Sequence, residues 1–133
     1  MPAGWLYVAG FGIRQMPMAP GAVAASVGLG QDTLGSEKDL AAYIEKQKKL
    51  IGGALNEVKF AGPQATAFVG AEEAQLLFVR HSPNSAGNML HAQTYVRLGS
   101  WVGIVTLTAL EAQLRAVRAD YETFLKGLRI GPQ

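Results

Sequence analysis

Two histidines, one pair of adjacent acids and two Gly-x-Gly pairs are the residues here whose types could do chemistry. A histidine serves as base or metal ligand only beside a carboxylate or a further ligand. The alternation of its strand puts His81 on the core side, as a packed, hydrogen-bonded residue. His91 falls on the other side with no acid or second histidine expected next to it, so it reads as a hydrogen-bonding group. Glu72 and Glu73 are neighbours, and neighbours on a strand point to opposite faces, which separates carboxylates that acid–base work needs together. They read as surface charge. Gly10-x-Gly12 and Gly28-x-Gly30 are followed by Gln15 and Thr33 where a dinucleotide fingerprint needs its third glycine. Neither opens a helix, so both read as tight turns and strand ends. There are no cysteines, which excludes thiolate nucleophiles, disulfides and Cys-based zinc sites. No Ser-His-Asp order and no phosphate loop are present. The chain therefore reads as non-catalytic, with no cofactor and no metal.

Composition narrows the class further. A chain of 133 residues, 49% apolar and 17% charged, reads as one domain over 1–133 with a sizeable core. Its net charge of +2 lacks the clustered basic surface that nucleic acid requires. No run approaches the roughly 20 apolar residues that span a bilayer, so the chain is not expected to be membrane-embedded. The apolar opening Ala3–Ile13 has no Lys or Arg before it and reads as a strand with turns. That favours a cytoplasmic location over export.

Strands are expected at Trp5–Val8 and Val23–Leu29. Ser36-Glu-Lys-Asp39 resembles a capping box, and Leu40, Tyr43, Ile44, Gln47, Leu50, Ile51 and Leu55 then recur at helical spacing. Lys46, Lys48 and Lys49 form the solvated face of that helix. Short strands follow at Val58–Phe60 and Thr66–Val69, around Gly62-Pro63. Next comes a meander: Ala74–His81, a loop at Ser82–Gly87, Asn88–Leu98, a two-residue turn Gly99-Ser100, and Trp101–Thr108. Glycine at the first turn position suits a type II′ hairpin. A second helix begins after Thr108-x-x-Glu111, with the stripe Leu114, Val117, Tyr121, Phe124, Leu125 and Leu128. The expected fold is α+β: an antiparallel β-sheet meander with two α-helices packed on one face.

The turn sets the register and so divides the sheet into two faces. Leu90, Ala92, Thr94, Val96, Leu98, Trp101, Val105 and Leu107 share one, apolar enough to lie under both helices with Trp101 as its core aromatic. The other carries Met89, His91, Gln93, Tyr95 and Arg97 opposite Val102, Ile104, Thr106 and Thr108. Keeping Arg80 out of the core places Leu76 and Phe78 there as well. Large apolar groups interleaved with hydrogen-bonding ones suit a partner surface, with Phe78, His91, Gln93, Tyr95, Val102, Ile104 and Thr106 as its candidate binding residues. A second layer of the same chain or a dimer contact would suit the pattern equally.

Ala74-Gln-Leu-Leu-Phe, Met89-x-x-Ala-Gln93-x-Tyr-Val, Val102-Gly-Ile-Val-Thr-Leu-Thr108 and the terminal helix resemble the DcrB-like, PsbP-like α/β family. Within it the chain looks most like the Eag (effector-associated gene) chaperones of bacterial type VI secretion. Pro2-Ala-Gly-Trp5 resembles their Pro-x-Gly-Trp segment, and Asp39–Leu55 their first helix. The resemblance implies a small homodimeric chaperone without catalytic activity. It would bind the hydrophobic N-terminal transmembrane segments of a PAAR-containing effector and shield them before loading. The open sheet face is the binding surface in that family, and Gln93, Tyr95, Ile104 and Thr106 fall on the corresponding strands. The alternative is a PsbP-like structural or adaptor domain with a soluble or envelope protein partner.

Overall fold

In the computed structural model, the strands and α-helices of the described residues follow one another as β1 (Trp5–Val8), β2 (Gly12–Gln15), β3 (Ser26–Thr33), α1 (Leu40–Ala54), β4 (Lys59–Ala65), β5 (Glu73–Asn84), β6 (Gly87–Leu98), β7 (Trp101–Leu110) and α2 (Leu114–Gly127). The structure describes residues 5–8, 12–15, 25–55, 57–84 and 87–127. Expectations for Pro2–Gly4, Gly10, Val23, Leu128 and the side chains of Leu114 and Phe124 fall outside the described residues.

The β6–β7 turn fixes the register around it. Gly99 has φ +60°, which glycine adopts at no steric cost and which a II′ hairpin needs at that position. Leu98 then pairs with Trp101, Val96 with Gly103, Thr94 with Val105 and Ala92 with Leu107, the register expected from the sequence. All seven strands join one antiparallel sheet in the order β1-β2-β3-β7-β6-β5-β4. β4 runs straight through Gly62-Pro63 instead of breaking there, and Thr66–Val69 forms no strand. Proline is tolerated because β4 is an edge strand, and a register shift between Ala61 and Gln64 absorbs the irregularity.

Helix α1 starts one turn later than the capping box suggested. Asp39 is the N-cap and accepts from the Ala42 N–H at 2.9 Å, while Glu73 Oε2 accepts from the Leu40 N–H at 3.1 Å. Leu40, Tyr43 and Ile44 are buried, but Leu50, expected on the same stripe, is 60% exposed. Before α2, the strand runs on to Leu110 and a 3₁₀ turn spans Glu111–Gln113. Gln113 Oε1, not Thr108, satisfies a backbone donor there, the N–H of Leu110 at 3.0 Å.

The α+β meander with two helices is as expected, but the helices lie on opposite faces, not on one. Val117 and Tyr121 of α2 pack with Val27, Ala92, Val105, Leu107 and Ala109. Leu40, Tyr43 and Ile44 of α1 pack with Leu77, Val79, Tyr95 and Val102. These two strand sets alternate along the chain, so they point to opposite sides. The run Leu76-Leu77-Phe78-Val79 carries the reason: a continuous apolar strand is covered on both faces, whereas a half-solvated one alternates.

Candidate partner-binding surface

Helix α1 covers only part of its face. It rests on β5, β6 and β4, and among its contacts is the edge-to-face pair Tyr43–Tyr95, with ring centres 6.1 Å apart. Such a pair adds about 0.5–1.5 kcal/mol beyond area burial. The Tyr43 hydroxyl donates to Asp32 Oδ2 at 2.7 Å, tying the helix to the end of β3. That hydrogen bond is the main cause holding the Asp32 carboxyl below its ordinary value. Burial pushes the Tyr95 hydroxyl up to about 12, so it remains a donor, and it donates to Gln93 Oε1. With its oxygen engaged, the Gln93 side chain is held in place and its amide N–H groups are left to face a partner.

Beside this covered zone the same face is open. Gln93 lies across from Thr106, and Tyr95 from Ile104. Thr106 and Ile104 in turn lie across from Gly28 and Gly30 of β3. His91, Gln93, Ile104 and Thr106 are half-buried and both glycines are exposed. A Cβ at Gly28 would meet nothing within 4 Å, and one at Gly30 only Ile104, at 4.0 Å. The result is a shelf where an incoming chain can approach the backbone of β3 closely. An isoleucine and a threonine border it, with a held glutamine behind.

Four of the seven candidate residues, His91, Gln93, Ile104 and Thr106, therefore share this open surface. The other three do not. Tyr95 and Val102 are 1% and 0% exposed, sealed under α1. Phe78 pairs with Ala92 and packs on the α2 side. Arg80 does share its side with Phe78, but near the end of the sheet, where its guanidinium reaches Glu111 Oε1 at 3.1 Å and stays in water. Keeping Arg80 out of the core thus never required moving Phe78 to the other face. Trp101, expected as core, is only half-buried and donates to Gln31 Oε1 at 3.1 Å.

The histidines are a pair. His81 shares a face with His91, and their Nε2 atoms are 2.9 Å apart. The ring planes differ by 5° and the centres are 5.0 Å apart. Centres so much farther apart than the nitrogens mean that the rings meet edge to edge through one hydrogen bond. His91 Nδ1 also contacts Thr108 Oγ1 at 2.9 Å. His81 Nδ1 is buried with no partner among the described residues. Buried N–H groups are rarely left orphaned, so the proton belongs on His81 Nε2, donating to His91, whose Nδ1–H donates to Thr108. The His91 Nε2 lone pair is committed to the His81 N–H, and no group of three metal-ligating side chains occurs among the described residues. Burial, with His81 beside it, holds His91 below its ordinary value.

Glu72 and Glu73 are more than surface charge. Arg97 Nη1 donates to Glu72 Oε2 at 3.1 Å and Arg97 Nε to Glu73 Oε2 at 3.0 Å. Glu72 Oε1 accepts from the Gly99 N–H at 3.0 Å. One arginine thus clamps the hairpin turn, the start of β5 and, through Glu73, the N-terminus of α1.

Sequence reasoning missed the glycine shelf and the histidine pair. Gly28 and Gly30 are two apart inside a strand, not in turns, so both fall on one face; that period was the available signal. His81 was placed on the opposite face from His91 by the same one-residue error that moved Phe78.

No family model matches the sequence, and no curated protein matches it. Solved structures do. A protein of unknown function from Pseudomonas aeruginosa, PA94, described as a candidate regulator, superimposes with a TM-score of 0.78 at 20% identity, covering 100% of this chain and 90% of that one. LpqN of Mycobacterium tuberculosis, described as involved in cell envelope biogenesis, superimposes with a TM-score of 0.75 at 17% identity, covering 98% of this chain and 80% of that one. At such identities the chain shares with PA94 and LpqN a fold, along nearly its whole length.

Proposed function

We propose that this chain is a non-catalytic chaperone of the Eag type. It would act in the cytoplasm as a homodimer, holding the hydrophobic N-terminal transmembrane segments of a PAAR-containing type VI effector until loading. The observation that carries this reading is the open half of the α1 face, where Ile104, Thr106 and Gln93 border the exposed glycines of β3. A transmembrane helix in water needs apolar area to cover its side chains, at about 25 cal/mol per Å². It also needs hydrogen-bonding groups for its small polar residues. Alternating strands supply both on one surface. No helix among the described residues is long and apolar enough to cross a membrane.

Replacing Ile104 with Asp tests the reading. A charge there would lose water on binding with no partner, at a cost of several kcal/mol, or a few decades in affinity at roughly 1.4 kcal/mol per decade. Co-expression with the effector's N-terminal fragment should give recovery with the natural chain and none with Ile104→Asp, the circular dichroism being unchanged. Equal recovery of fragments with and without the apolar segment would instead favour the adaptor reading.

A further inference from the structure

We propose a second binding site on the opposite side of the sheet: the cleft between α2 and the sheet takes a medium-length hydrocarbon chain with an anionic head. The cleft holds ≈ 210 Å³. Its floor is Leu76, Phe78 and Leu107, and its helix wall is Tyr121 and Leu125. Leu76, Phe78 and Leu125 remain only half-buried after folding, so apolar surface is left for a ligand to cover. Pockets for drug-sized ligands measure roughly 300–1,000 Å³, so this smaller volume suits a narrow chain better than a ring system.

The closed end decides against a peptide. Its polar atoms are already spoken for: the Tyr121 hydroxyl lies 3.0 Å from Thr94 Oγ1 and 3.2 Å from both the Ala92 and Val105 carbonyls. Peptide N–H and C=O groups entering there would find no partner and would lose their water. Methylenes lose nothing. At the rim, charge favours an anion. Arg118 is 69% exposed and pairs with Glu122, 55% exposed, at 3.3 Å. An ion pair that exposed holds little energy and can be exchanged. Beyond Leu125 the cleft meets a second groove of ≈ 430 Å³ along Phe68 and Val69, edged by Lys126. Among the described residues that line the cleft and the groove, the cations Arg118 and Lys126 stand against the carboxylate of Glu122.

Calorimetric titration of the whole protein with sodium decanoate, below its micelle concentration, tests this. One site per chain is expected, with affinity rising about fourfold per methylene from hexanoate to decanoate, as about 0.8 kcal/mol per buried CH₂ requires. Thr66 is exposed at the mouth, so Thr66→Trp should block entry and abolish binding in a folded protein. Arg118→Glu should weaken decanoate about tenfold and leave decyl maltoside unchanged. Ile104→Asp, on the other face, should leave decanoate binding intact, which keeps this site separable from the chaperone surface. No saturable binding would overturn the proposal. So would binding indifferent to Thr66→Trp, binding lost with Ile104→Asp, or decyltrimethylammonium bound as tightly as decanoate.

Discussion

The two faces of the sheet are both half-covered, yet they are finished differently. Under α2, the core is aliphatic but for Tyr121, with Phe78 packed against it, and the Tyr121 hydroxyl, buried beside that of Thr94, is closed off by backbone carbonyls. On the α2 side, Leu76, Phe78 and, at 40% exposure, Leu29 stay partly uncovered, alongside the polar Gln31 and Arg80. Under α1, two tyrosines carry polar ends out of the core toward its border, to Asp32 and to Gln93. The uncovered half of that face mixes Ile104 with Thr106, Gln93 and His91 beside exposed glycine backbone. A cleft floored by Leu76, Phe78 and Leu107 suits a hydrocarbon chain. A remainder with oriented hydrogen-bonding groups suits a protein segment, which brings its own amides.

The largest effect should come from the α1 side of the core. Tyr95 is 1% exposed, packs on Tyr43 and orients Gln93. Tyr95→Ala should cost about 3–5 kcal/mol, as for other buried aromatics, and urea unfolding measures it. A cost below that of Trp101→Ala, at the half-buried hairpin end, would show that α1 does not seal its face. Gly103 comes next. A Cβ there would meet Trp101 Cη2 at 2.5 Å and Val96 Cγ2 at 3.0 Å. Gly103→Ala must therefore push the indole off its Gln31 hydrogen bond, at about 1–3 kcal/mol, with a change in tryptophan fluorescence as its signature.

The smallest effect is a pH dependence. The His91 imidazole is held below its ordinary 6.5, so between the folded value and 6.5 the unfolded chain binds more protons. Stability is then full above that window and falls as pH drops through it. The urea midpoint should be lower at about pH 5.5 than at about pH 7.5, and His91→Gln should shrink the difference. The lowered carboxyls, Asp32, Glu37 and Glu111, act below the ordinary carboxylate range and leave this window to the histidine. An unchanged difference in His91→Gln would remove the pair from the account.

What the sequence made legible was local. Gly99 carried the hairpin, and the hairpin carried the register of β6 and β7 residue by residue. What it hid was the order of layers. A charge, Arg80, was used to orient β5, but a long arginine at the end of a sheet turns to water from either face. The continuous run Leu76–Val79 was the better witness, and it implied cover on both sides. The candidate surface survives in part for the same reason: positions read from β6 and β7 alone stayed on one face, and the one taken from β5 moved. Tyr95 and Val102 were on the right face but under α1, and periodicity cannot say how far along a sheet a helix lies. The glycine shelf was invisible because glycine in a strand was read as turn chemistry, not as an absence of side chains.

On the proposed function, the open half of the α1 face, and not its covered half, receives an apolar helical segment. Selective isotope labelling of isoleucine methyl groups tests it within one face, because Ile104 borders the shelf while Ile44, 0% exposed, lies beneath α1. With a spin label on the effector's apolar segment, strong broadening of the Ile104 methyl signal and a nearly unchanged Ile44 signal are expected. An Ile104 signal that stays sharp while the labelled segment is demonstrably bound would contradict it.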